Sequence, residues 1–284
     1  MKNWFCSVRI IYRRLRKNRL AVVGFWIIVA FIFTALFAPW IAPYDPSEQD
    51  LLASLEGPSV AHPMGVDFFG RDILSRVIWG TRVSLTIALM AVAISAIVGA
   101  LLGSLAGFYG GILDEVIMRI MDVFLAIPSI LLAIAIVAAL GPRTSNLVFA
   151  VSLSTIPEFA RIARSAVLVE RSKEYIEAAR AIGESRLSML FRYALPNSLI
   201  PMVVQASLRM ATAILSVSGL GFLGLGVQPP TPEWGTDLSL ARTYLEIAPH
   251  AGIFPGIAIF LSVIGFNFLG DGLNEALNPR LKDR

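Results

Sequence analysis

The chain has 284 residues, 56% of them hydrophobic and only 15% charged, with a mean hydropathy of +0.71. Soluble domains carry about 25% charged residues, so too little polar surface is present to cover a water-soluble globule of this length, and the chain reads as a bilayer protein. The net charge of +4 and the pI near 9.5 do not argue for nucleic acid, because the basic residues fall in loops between apolar segments.

Residues 1–19 carry seven Lys/Arg and no Asp or Glu, and they hold the single cysteine, Cys6, which can form no internal disulfide. The first apolar segment follows, from about Leu20 to Ile41, with no charge inside it. A helix needs about 20 residues to cross roughly 30 Å of hydrocarbon. This segment is longer than the roughly 7–15 residues of a secretory signal core, so it reads as a retained membrane helix. A polar loop, 42–80, separates it from a second segment at about Val83–Phe108 and a third at about Ile117–Leu140. A fourth covers about Asn146–Ala166, a fifth Ser198–Leu220 and a sixth Ala251–Leu269. The expected fold is all-α and integral to the membrane, with six transmembrane helices.

Lys and Arg placement predicts the orientation. Seven lie between Arg161 and Pro196, and the tail ends with Arg280, Lys282 and Arg284. The loop 42–80 has only Arg71 and Arg76, and the loops 141–145 and 221–250 have only Arg143 and Arg242. Both termini and the 161–196 loop are therefore expected in the cytoplasm, with 42–80 and 221–250 outside.

Gly99, Gly103 and Gly107 recur every four residues on the second segment, as do Gly252 and Gly256 on the sixth. Small residues on one face let membrane helices approach closely. Pro128, Pro157 and Pro255 fall within the third, fourth and sixth segments, where proline removes a backbone donor and can kink a helix. Asp122, Glu158, Arg161, Arg209 and Asp271 lie inside or near apolar segments. Charges in hydrocarbon are costly and usually face a bundle interior or an aqueous cavity. Arg209, halfway along the fifth segment, is a candidate for the translocation path, where it would attract a carboxylate. It could equally be held in an internal ion pair or a subunit contact, and the residues leave both readings open. Asp122 and Asp271 are expected to be simply exposed near cytoplasmic helix ends.

No Gly-Lys pair occurs anywhere, so the usual G-x-x-x-x-G-K-[ST] phosphate cradle is absent. The run Gly219–Gly226 matches G-x-G-x-x-G literally, but no strand precedes it, and it reads as a glycine-rich exit from the fifth helix. No Ser/His/Asp set or HExxH motif points to catalysis. His62 and His250 fit no ligand spacing, so no metal site is expected.

The stretch from Glu177 to Pro196 is polar, basic and enclosed by apolar segments. A helix is expected over Ser172–Ala181, with Tyr175, Ile176, Ala178, Ala179 and Ile182 supplying contact area. Gly183 allows a turn, a second short helix runs over Arg186–Tyr193, and Pro196 starts the fifth helix, where a missing N–H costs little. Ala178 and Ala179 leave room for close approach of another backbone. Taken alone, this loop is either a handle gripped by a soluble protein or an ordinary surface hairpin.

The spacing of Glu177-Ala178-Ala179, Gly183 and Leu195-Pro196 resembles the cytoplasmic loop signature of permease subunits of ATP-binding-cassette importers. The resemblance extends over nearly the whole chain. His62-Pro63-Met64-Gly65-Val66-Asp67 through Arg76 is similar to the outer segment of the dipeptide/oligopeptide permease branch. So are Phe222–Gly226, Pro230-Thr231-Pro232-Glu233-Trp234-Gly235, Phe254-Pro255-Gly256, Phe266–Gly272 and Asn278-Pro279-Arg280. The likeness is to the second, C-type permease of that branch, although Tyr193 stands where many relatives have histidine.

The resemblance implies a type I ABC importer permease fold. It divides the chain into residues 1–80 (basic tail, first transmembrane helix, outer loop) and 81–284, a five-helix permease core whose coupling loop is 167–196. It implies a homologous permease partner, two ABC ATPase subunits, one of which holds the Glu177–Pro196 loop in a groove, an extracytoplasmic solute-binding protein, and surrounding membrane lipid, with no nucleic acid. ATP and Mg would be bound by the ATPases, with no cofactor in this non-catalytic chain. The location implied is the cytoplasmic (inner) membrane of a prokaryote. Peptides, glutathione-like peptides and nickel chelates are the implied solute classes. A secondary transporter with its own substrate site, or a membrane scaffold, would explain the composition but not the loop signature.

Overall fold

The computed structural model describes residues 18–277, and among these the chain is helical, with one isolated β-bridge between Val66 and Asp72. The basic tail with Cys6 and the closing Asn278-Pro279-Arg280 motif lie outside the described residues. Helix α1 (Arg19–Ile41) is capped by Asn18, whose side chain accepts from Ala21 N at 3.1 Å. The same Asn18 amide donates to Glu275 Oε2 at 2.7 Å, tying the start of α1 to the end of the last helix.

Helix α2 (Ile73–Tyr109) begins well before the predicted second segment. The sequence reading placed Arg76 within the loop 42–80. In the fold Arg76 is buried and its guanidinium is paired with Asp237, so the helix extends through it. The predicted third segment is broken into α3 (Gly111–Leu125) and α4 (Ser129–Leu140), bent by 86°. Pro128 stands at the break rather than inside a helix; it has no N–H and pushes the preceding residue out of helical conformation. Pro157 and Pro255, by contrast, remain inside α5 (Thr144–Arg171) and the last helix.

Then come α6 (Glu174–Ala181), α7 (Arg186–Ser188), a π-helical turn (Met189–Ala194), α8 (Leu195–Asn197), α9 (Leu199–Phe222), α10 (Trp234–Ala241) and α11 (His250–Leu277). By length and composition four helices are long and apolar enough to cross a membrane: α1, α2, α9 and α11. The bent α3–α4 pair brings the number to as many as five. Helix α5 has the length, at 28 residues, but carries Glu158, Arg161 and Arg164 in its second half.

The most extensive helix contact is α2 on α5. The glycine row makes it: a Cβ on Gly99 would lie 2.5 Å from Phe159 Cβ, and one on Gly107 would lie 2.7 Å from Arg164 O. The second glycine pair behaves differently. Gly252 is covered by Leu245, but a Cβ on Gly256 would meet nothing within 4 Å among the described residues.

Outside the helices, the residues of the outer motifs form a buried polar knot. Asp72 caps α2 by accepting from Ser75 N at 2.7 Å, and His62 Nδ1 lies 2.9 Å from its other oxygen. Arg71 pairs with Asp67 at 2.6 Å. Glu233 is fully buried and accepts from Ser84 Oγ, Gly235 N and Thr236 N at 2.8–3.0 Å. Trp234 Nε1 donates to Val77 O at 3.1 Å. The Ser84–Glu233, Trp234–Val77 and Asp72–Ser75 bonds fix the outer segments on α2, as expected for buried polar groups.

Candidate functional site: the loop below the helices and an ion pair within them

Helix α6 has two faces. Ile176 and Ala179 are buried against Phe108, Val167, Met189, Leu190 and Ala194, while Glu177 and Ala178 are exposed. This corrects the expectation for Ala179: it packs inward and leaves no room for another backbone, whereas Ala178 does. The helix starts at Glu174 rather than Ser172. The turn at Gly183 is as expected, with φ +87°, open space around it, and its N–H donating to Arg180 O at 3.1 Å.

The segment after the turn is not one regular helix. Ser185 caps α7, and the backbone widens so that Leu195 N–H reaches Leu190 O. Pro196, with no N–H, cannot extend that ladder. It lies in α8, exposed, and α9 starts only at Leu199, after Ser198, which departs from the expectation that Pro196 begins the fifth helix. Leu195 is half-buried against the Ile176 cluster.

The loop is braced to the helices on both sides. Glu170, near the end of α5, accepts from Lys173 Nζ at 2.5 Å and from the Tyr175 hydroxyl. Burial, and then the Glu170 carboxylate beside it, push the Tyr175 phenol up to about 12. Asn197, just before α9, donates to Tyr193 O at 2.7 Å and lies 3.5 Å from the Tyr175 hydroxyl. Arg171 Nη1 donates to Phe108 O at 3.0 Å, joining the end of α5 to the end of α2. The outward side of the loop carries Ile182 at 80%, Leu187 at 56% and Phe191 at 44% exposed, beside Glu177, Arg180 and Arg186. Leu187 and Phe191 were not singled out from the sequence. Their only signal is apolar character in an otherwise basic run, and an apolar patch with a polar rim marks a protein contact.

Arg209 lies on α9 and reaches α5. Its Nη2 is 2.5 Å from Glu158 Oε2, and the Gln205 amide oxygen, in the orientation that satisfies its neighbours, lies 2.7 Å from Arg209 Nε. Further along α5, Arg161 pairs with Asp122 at 2.6 Å, and Arg164 grips Asp114 through two contacts of 2.5 and 2.6 Å. Asp122 is exposed as expected, but it is also paired. The ion-pair reading of Arg209 is thus realised, and the path reading rests on the open flank of that pair. His62 packs over the Tyr44 ring beside Asp72, and His250 lies 3.3 Å from Val66 O, both in the outer region. The Gly219–Gly226 run closes α9, where a Cβ on Gly221 would lie 2.5 Å from Glu233 Oε2.

Comparison with known proteins matches this architecture. Residues 99–283 fit the family described as binding-protein-dependent transport system inner membrane component. Residues 8–58 fit the N-terminal TM domain of oligopeptide transport permease C. The chain is 47% identical to a dipeptide transport system permease protein of Alkalihalophilus pseudofirmus over 95% of this chain and 89% of that one. It is 49% identical to a di/tripeptide transport system permease protein of Pseudomonas aeruginosa, over 96% and 92%. A glutathione transport system permease protein of Escherichia coli O157:H7 is 48% identical over 95% and 90%. Among solved structures, an inward-facing form of the MetNI methionine ABC transporter superposes with a TM-score of 0.57 at 18% identity, over 72% of this chain and 97% of that one, which shows the shared permease fold. A helical membrane chain with this loop, this fold and these relatives belongs to the binding-protein-dependent transport system inner membrane component family, the permease subunits of ABC importers.

Proposed function

We propose that this chain is one half of the solute path of a peptide importer, paired with a homologous permease and driven by two ATPase subunits, one of which receives the loop within residues 167–196. As a family member it is a non-catalytic transport component that works with a separate ATPase and a binding protein. The substrate class is di- or oligopeptide, or a glutathione-like peptide, because relatives at 47–49% identity carry those names. Six crossings with both termini in the cytoplasm place the loop on the ATPase side and the 42–80 and 221–250 loops toward the binding protein. The membrane is the cytoplasmic membrane of a prokaryote. ATP and Mg sit on the partner subunits.

The observation that carries the proposal is the two-sided loop. Glu177, Ala178, Gly183 and Pro196 lie on the open side with Ile182, Leu187 and Phe191, while Ile176, Ala179 and Leu195 face inward, Glu170 ties the loop to the end of α5 and Arg171 ties that end to α2. A force applied to the open side therefore reaches α5 and α2. ATP drives this only if it favours one arrangement of the complex over another, since a ligand shifts an equilibrium by its differential affinity alone.

The test is mass spectrometry of the complex purified gently through a tag on this chain. A homologous permease and ATPase subunits are expected, with a peptide-binding protein among the weaker partners. Recovery of this chain alone, active in vesicles without ATP, would overturn the proposal in favour of a secondary transporter.

A further inference from the structure

Three ion pairs sit along α5 where hydrocarbon would leave none, the third being Arg164–Asp114. The Glu158–Arg209 pair links α5 to α9 with its side chains 27% and 31% exposed. One turn further toward the end of α5, the Arg161–Asp122 pair links α5 to α3, with 55% and 47% exposed. A charge inside a membrane span faces a bundle interior or a water-filled cavity, not acyl chains. The open flank of these pairs is therefore the flank that water, a partner helix or a solute covers. Gln205, Arg209 and Thr212 share one face of α9, three and four residues apart, and Thr212 is exposed.

Glu158 Oε2 is buried, and Arg209 Nη2, 2.5 Å away, is its charge partner. A solute with one carboxylate and one ammonium can take Glu158's place on Arg209 and Arg209's place on Glu158 together, so no charge is stranded. A solute with a single charge strands one partner, which is heavily penalised away from water. The ends of an extended dipeptide are about 7 Å apart, so Glu158 and Arg209 must part from their 2.5 Å contact for one dipeptide to hold both.

We propose that Glu158 and Arg209 form a subsite for zwitterionic peptides, the solute carboxylate binding Arg209 and Gln205 and its free ammonium binding Glu158. This rests on the peptide-importer reading above. The test uses the complete importer in liposomes with saturating Ala-Ala or Ala-Ala amide. The double substitution Glu158→Gln with Arg209→Gln removes both charges and strands neither. The complex is expected to assemble and to lose Ala-Ala transport by at least about tenfold. Wild-type transport by the doubly substituted protein would overturn the proposal and leave the pair a structural link. A second measurement leaves the pair untouched: in the Thr212→Cys complex, Ala-Ala is expected to protect the new thiol from a maleimide and Ala-Ala amide is expected not to. Equal labelling with and without Ala-Ala would overturn the subsite even where the double variant fails to assemble. A wild-type complex that hydrolyses ATP but carries no Ala-Ala would instead overturn the peptide reading, and the subsite with it.

Discussion

Gly103→Ala adds one methyl group at the tightest point of the α2–α5 contact. Its Cβ would lie 2.0 Å from Ala160 O, 2.8 Å from Ala160 C and 2.7 Å from Ala163 Cβ. Non-bonded heavy atoms settle at roughly 3.5–4.0 Å, so the two helices must part by about 1.5 Å at this level. The nearest atoms belong to backbone, which has no rotamer to change. Overpacking costs typically 1–3 kcal/mol, and with backbone on both sides we expect a loss of about 3 kcal/mol. The displacement also reaches the loop, because Arg171 and Glu170 at the end of α5 hold it to α2 and α6. The assay is reversible unfolding in mixed detergent micelles, with the amount of ATPase recovered on the tagged chain as a second readout. Gly256→Ala is the control: its site is open, and a change within about 0.5 kcal/mol is expected. Equal stability of Gly103→Ala and wild type would refute the claim that α2 and α5 meet backbone to backbone.

Glu177→Lys, which reverses a charge on the open face of α6, should abolish ATP-coupled uptake while membrane insertion, read by protease protection, stays intact; wild-type uptake would sink the docking role. Gly183→Pro should do the same, since proline holds φ near −65° where the chain needs +87° and removes the N–H that donates to Arg180 O. Arg76→Ala should destabilise the outer region by about 3–5 kcal/mol by stranding the buried Asp237 carboxylate, seen as faster proteolysis of the 42–80 and 221–250 loops; unchanged cleavage rates would contradict the buried pairing. The raised Tyr175 pKa sets a pH window: its contribution to loop stability is whole below 10, the ordinary phenol value, and is lost as pH rises through about 12. The protection of the loop's amides, taken relative to the intrinsic base-catalysed exchange rate at each pH, should fall across that window in wild type and not in Tyr175→Phe; identical protection profiles would rule out the Tyr175–Glu170 bond as the brace.

Composition and Lys/Arg placement were enough to read a helical membrane protein from this chain, because hydrocarbon leaves the backbone few ways to satisfy its hydrogen bonds and charge follows the aqueous sides. The loop signature was legible for the same kind of reason: a polar, glycine-punctuated stretch between two apolar segments has to project. What the sequence could not distinguish were residues of one type with different surroundings. Pro128 breaks a segment while Pro157 and Pro255 stay within helices. A Cβ on Gly103 would strike backbone, while one on Gly256 would meet nothing among the described residues. Ala179 is buried and its neighbour Ala178 is open, because the rotation of α6 is set by Ile176 seating in the pocket beneath it. Arg76 read as a loop residue until Asp237, far along the chain, was there to pair with it. Glu158 and Arg209 read as separate anomalies until α5 and α9 packed side by side. Local chemistry sets which residues can enter the membrane and which must leave it. Which charges meet, and which small residues carry contact, depends on distances between segments that only the packed helices define.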